Sequence, residues 1–65
     1  YNNMEVYRIY FNRLRRMLKM KYFLQIAEIY ENKFSRFLNG DDTVLTVSDL
    51  ERLKIVVQDE LKNIA

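Results

Sequence analysis

From residue 3 to residue 38 the chain contains no Gly and no Pro, and the apolar side of that stretch changes direction halfway along. Leu, Met, Arg, Lys and Glu are prominent in it, so the stretch is expected to be helical. At about 100° per residue, Val6, Tyr7, Tyr10, Phe11, Leu14, Met17 and Leu18 share one sector of the helix. Phe23, Ile26, Ile29, Tyr30, Phe34 and Phe37 fall in roughly the opposite sector. The swap lies between Lys19 and Tyr22. Two structures satisfy it. A break there makes three helices, whereas one continuous helix presents different faces to different neighbours. The segment LKMKYF has no Gly, Pro, Asn or Ser, which favours continuity.

The rest of the chain has clearer punctuation. NGDD, residues 39–42, reads as a turn, with Gly40 free to take positive φ at a helix C-terminus and Asn39 also tolerant of it. LTVSDL then reads as a helix start. Thr46 is the N-cap, Asp49 completes a capping box, and Leu45 staples to Leu50. The helix that follows runs from about Val47 to Asn63, with Leu50, Leu53, Val57, Leu61 and Ile64 as its apolar stripe.

These elements predict an all-α fold over 1–65, a helical hairpin of one long helix, bent or straight near 19–22, and one shorter helix. At about 1.5 Å per residue the first would span ~54 Å and the second ~26 Å. The shorter helix would cover half of the longer one, and aromatic side chains left in water call for a partner. Tyr7, Tyr10, Phe11, Leu14, Met17, Leu18, Phe23, Ile26, Tyr30, Phe34 and Phe37 are therefore the expected protein interface. The partner is a sister subunit or another copy of the chain.

Chemistry is sparse. The chain has no Cys and no His, which removes disulfides, Cys-based metal sites and the commonest general base. Asp41-Asp42 and Asp59-Glu60 are the only adjacent carboxylate pairs, one in a turn and one on a solvated face. A calcium loop beginning at Asp41 would need Gly and Glu where Thr46 and Arg52 stand. Ser35 and Ser48 have no His partner, and Gly40 alone makes no phosphate loop. No catalytic, cofactor or metal residue is expected. No apolar run is long enough to span a membrane, and no signal peptide is evident, so an intracellular location, cytoplasmic or nuclear, is the expectation. Tyr at the first position suggests a segment trimmed from a longer protein.

Charge is uneven. Residues 1–38 carry eight Lys or Arg against three acids, and residues 39–65 carry three against six. Arg8, Arg15, Arg16 and Lys19 lie within about 100° of one another, a stripe suited to phosphate, with Tyr22 and Phe23 as stacking surface. Arg13 and Lys21 point elsewhere. The alternative is a solvated helix back whose methylene stems lie over apolar neighbours, and nucleic acid is the less favoured partner.

YFNRLRRMLKMKYFLQIA followed by LTVSDLERLKIVVQDEL resembles the helical domain of GINS subunits, the replication-fork complex that accompanies the MCM helicase and Cdc45. The resemblance rests on Arg13, Leu14, Arg15 and Arg16, then on Leu45, Thr46 and Asp49. The earlier helices and the small β-rich domain of those subunits have no counterpart in this chain. The resemblance implies no catalysis, helices packed against sister subunits, and Arg13, Arg15 and Arg16 in ion pairs that set register with an acidic partner. The function expected on these grounds is a helical assembly module of a replication complex. The alternative is a small nucleic-acid binder using Arg8 to Lys19.

Overall fold

In the computed structural model, which describes residues 3 to 64, the chain forms four helices: α1 (Asn3–Met17), α2 (Lys21–Ala27), α3 (Glu31–Leu38) and α4 (Val47–Ile64). No strand occurs among the described residues, so the all-α expectation holds. The continuous first helix does not form. The whole fold measures 32 Å along its longest axis, far less than the ~54 Å such a rod requires.

Packing places the first break. α1 closes with the Leu18 N–H donating to the Leu14 carbonyl at 2.9 Å, and α2 opens with the Leu24 N–H donating to the Met20 carbonyl at 2.9 Å. Met20 stands between them with only 7% of its surface exposed. A straight helix would leave one of the two opposed apolar faces in water. Breaking at 18–20 turns both faces inward, and burial of the large side chains outweighs the few backbone bonds lost.

The second break is built differently. Glu28 adopts the left-handed conformation at φ 60, ψ 44. Its N–H donates to Gln25 at 3.2 Å, and the Ile29 N–H donates to Leu24 at 2.9 Å. This is a Schellman closure made without glycine, with Leu24 and Ile29 both buried as the motif favours. The same closure recurs after α3 in its usual form. Gly40 sits at φ 115, its N–H donates to Phe37 at 3.0 Å, and the Asp41 N–H donates to Arg36 at 3.0 Å.

α4 begins as its sequence dictates. The Asp49 N–H donates to the Thr46 hydroxyl at 3.1 Å, and the Thr46 N–H donates to the Asp49 carboxylate at 3.0 Å. The Thr46 backbone bond is the first cause holding the Asp49 carboxyl below its ordinary value, with the Thr46 hydroxyl and Arg52 adding to it. Leu50, Leu53 and Val57 are fully buried, whereas Leu61 is exposed as the helix outruns the core. The side chain of Ile64, the last of the expected stripe, lies outside the described residues.

One core joins all four helices. Phe11, Phe37, Leu50, Leu53 and Val57 form its fully buried centre, and the Phe11 and Phe34 rings meet edge to face at 5.7 Å. α2 packs chiefly on α4, while α1 packs on both α3 and α4. The Cα radius of gyration, 11.1 Å, is close to the ~11 Å of a compact chain this long. The exposed area of 4783 Å² is near the ~4,500 Å² of a compact monomer of this mass.

Two arginines stitch the helix ends together. Arg8 on α1 donates through Nε to the Phe37 carbonyl at 2.9 Å, lies 4.8 Å from the Phe37 ring centre, and pairs with Asp42. Arg52 on α4 donates through Nε to the Ala27 carbonyl at 2.9 Å and pairs with Asp49 at 3.0 Å. Each places a cation at the negative end of a neighbouring helix, where free carbonyls need donors.

Candidate functional site

The fold sorts the expected interface residues into three groups. Phe11, Leu14, Phe23, Phe34 and Phe37 are buried in the chain's own core. Tyr7, Tyr10 and Leu18 are partly buried against it. Met17, Ile26 and Tyr30 are exposed, Met17 to 72%. The premise that the aromatics need an outside partner to cover them is therefore corrected, because α2 and α3 fold back and cover the buried ones. The Tyr7 hydroxyl donates to Glu51 on α4, which is the first cause raising its phenol above the ordinary 10.0.

The basic residues divide as well. Arg8 leaves the stripe: its side chain is 18% exposed and its donors are held by Phe37 and Asp42. Arg13, Arg15, Arg16, Lys19 and Lys21 are exposed, and among the described residues none has a carboxylate within ion-pair distance. Five cations thus stand within nine residues, where α1 ends and α2 begins. Arg15 and Arg16 occupy the last turn of α1, and the helix dipole favours them there. Lys21 opens α2, where the dipole opposes it, and no side chain caps that helix start.

Beside these cations lies an open groove of about 410 Å³ between the α1–α2 joint and α3. Leu18, Met20, Leu24, Phe34 and Leu38 form its apolar lining. Arg15, Lys19 and Lys21 supply positive charge, and Glu31 and Ser35 are its polar contributions from α3. Tyr22, 57% exposed, follows directly on Lys21.

Reading the chain as one long helix separated Lys21 from Lys19 and hid Leu24, Phe34 and Leu38 as neighbours of the basic residues. The opposed apolar sectors on either side of Lys19 were the available signal, since a break there brings both sides of the joint to one surface. No group of acidic side chains that would hold a metal ion gathers among the described residues, and none of their helices is long and apolar enough to cross a membrane. Comparison with protein families, with curated proteins and with solved structures gives no significant match.

Proposed function

We propose that this chain is a non-catalytic interaction module that binds an acidic protein partner through Arg15, Lys19 and Lys21 at the α1–α2 joint. One observation carries the reading: Arg15, Lys19 and Lys21 line one groove and none has a carboxylate within ion-pair distance among the described residues, while Arg8, Arg36 and Arg52 are each paired within the fold and Lys33 and Lys54 lie over the Tyr30 and Tyr10 rings. Like charges held together raise the local potential and speed the approach of an opposite surface. The partner completes the charge balance rather than the core, which is already closed. The likeness of Arg13 to Arg16 and of Leu45 to Asp49 to the GINS helical domain suggests a replication assembly as the setting, and it rests on those residues alone.

The test is a titration against a labelled Glu- and Asp-rich peptide. Binding is expected to weaken with added salt, and by about tenfold when Arg15, Lys19 and Lys21 are all replaced by Gln, three partly screened pairs together. No binding at low ionic strength would defeat the reading.

A second reading has its own support. Tyr22 offers a stacking face beside Lys21, the pairing used on single-stranded nucleic acid. Single strands bound more tightly than the peptide at physiological salt, with a steep salt dependence lost in the Gln variant, would decide for it.

A further inference from the structure

Exposed apolar side chains gather on the outer faces of two helices. On α1, Val6, Ile9 and Met17 are exposed, but Arg13 and Arg16 stand among them, and a second copy there would set cation against cation. On α4 the outer surface forms a shallow groove of about 600 Å³ lined by Val47, Ser48, Glu51, Arg52, Ile55 and Val56. Val47 is 42% and Ile55 49% exposed, and Val56 is partly buried against the core. The order of these residues sets the groove apart. Val47, Glu51 and Ile55 recur every fourth position and form one ridge, and Ser48, Arg52 and Val56 form the ridge beside it. The hollow between two such ridges receives the matching ridge of another helix, with the axes crossing at about 50°. The lining is also symmetric about the point midway between Glu51 and Arg52. Turned end for end about that point, Val47 falls opposite Val56, Ser48 opposite Ile55, and Glu51 opposite Arg52.

We propose that this face of α4 pairs antiparallel with the same face of a second copy of the chain, about a two-fold axis between Glu51 and Arg52. A two-fold contact needs a surface that complements itself. This one does: valine meets valine at both ends, the small Ser48 leaves room for Ile55, and an acid meets a base twice at the centre. A parallel copy would set Glu51 against Glu51, and a partner of one charge would be opposed by either Glu51 or Arg52. Both central groups keep capacity for a partner. Glu51 accepts from Tyr7 at Oε2 and so leaves Oε1, while Arg52 gives Nε to Ala27 and Nη2 to Asp49 and so leaves Nη1. Exposed pairs of this kind set register more than affinity. The contact is short. Six residues a side bury roughly 400 Å² per copy, about half the usual amount, so half of the chain becomes dimeric only near about 100 µM. The pairing is independent of the basic cluster, whose groove shares no residue with this one.

The experiment is sedimentation equilibrium of the whole chain at low salt. The average mass is expected to climb from monomer towards dimer between about 10 µM and about 1 mM. Ile55→Glu is expected to weaken dimerisation by about tenfold or more, because it carries an unpaired carboxylate into the contact. Adding Ser48→Lys is expected to recover about threefold of that loss, because the new ammonium and the new carboxylate meet across the axis. Within one helix the two positions are seven residues apart and do not meet, so the recovery reads the antiparallel register alone. Ser48 and Ile55 are both exposed, so neither change enters the core, and circular dichroism checks the fold. A chain that stays monomeric at about 1 mM overturns the proposal. So does a dimer that Ile55→Glu leaves intact, since it forms through another face. A double variant that associates no better than Ile55→Glu alone denies the two-fold between Glu51 and Arg52 and overturns it as well.

Discussion

Arg8 and Arg16 sit two turns apart on one helix and look interchangeable in the sequence, yet the fold gives them different work. The Arg8 guanidinium meets a carbonyl, a ring and a carboxylate, all from the α3 end of the molecule. Arg16 is exposed and touches no acid among the described residues. Arg8→Gln is therefore expected to cost about 1.5–3 kcal/mol, the range for a charge-assisted hydrogen bond whose acceptor is left partly unmet. Arg16→Gln, losing only a favourable dipole contact, should stay within about 1 kcal/mol. Urea denaturation of the two variants separates them. Equal losses would mean that the Phe37 carbonyl finds water readily and that Arg8 is not a clamp. Nothing in the sequence distinguishes these arginines, because what matters is the carbonyl 29 positions away that one of them reaches.

At the scale of elements, some ends are written in residue chemistry and others are imposed by packing. Thr46 with Asp49 and Gly40 after α3 carry their signals in their own side chains or lack of one, and both form as expected. The ends of α1, α2 and α3 near 18–20 and 28–30 carry none. Met20 caps nothing, and Glu28 occupies a conformation that glycine accepts at little cost. The cost at Glu28, on the order of 1 kcal/mol, is met by burying Leu24 and Ile29 on either side of the turn. Glu28→Gly should relieve that strain, offset in part by the greater freedom glycine gives the unfolded chain. A net gain of about 0.5–1 kcal/mol in urea is expected. Glu28→Val, β-branched and poorly suited to positive φ, is expected to lose at least as much. If glycine destabilises, the left-handed turn is not the conformation that closes α2.

For the molecule as a whole, Phe11, Phe23, Phe34 and Phe37 close a compact globule and the basic cluster stays at the surface. The sequence showed both populations and misassigned the first, since a helix drawn straight through Lys19 leaves Phe11 and Phe34 with no route to each other. Once the chain folds back, their rings meet, and what remains at the surface is a helix start that contradicts local rules. α2 opens on Lys21 at a positive dipole end, with no acidic residue in its first turn and no capping side chain. Lys21→Glu is therefore expected to raise stability by about 0.3–1 kcal/mol by correcting the dipole. The same change should weaken binding of the Glu- and Asp-rich peptide by a few-fold, since it removes one cation from the basic cluster and adds a repelling charge. Thermal melts at low salt and the peptide titration, run on one preparation, read both quantities. A variant that is more stable and binds equally well would place Lys21 outside the working surface. One that is less stable would mean that Lys21 has a structural partner, and that its opposition to the α2 dipole is not the reason it stands there.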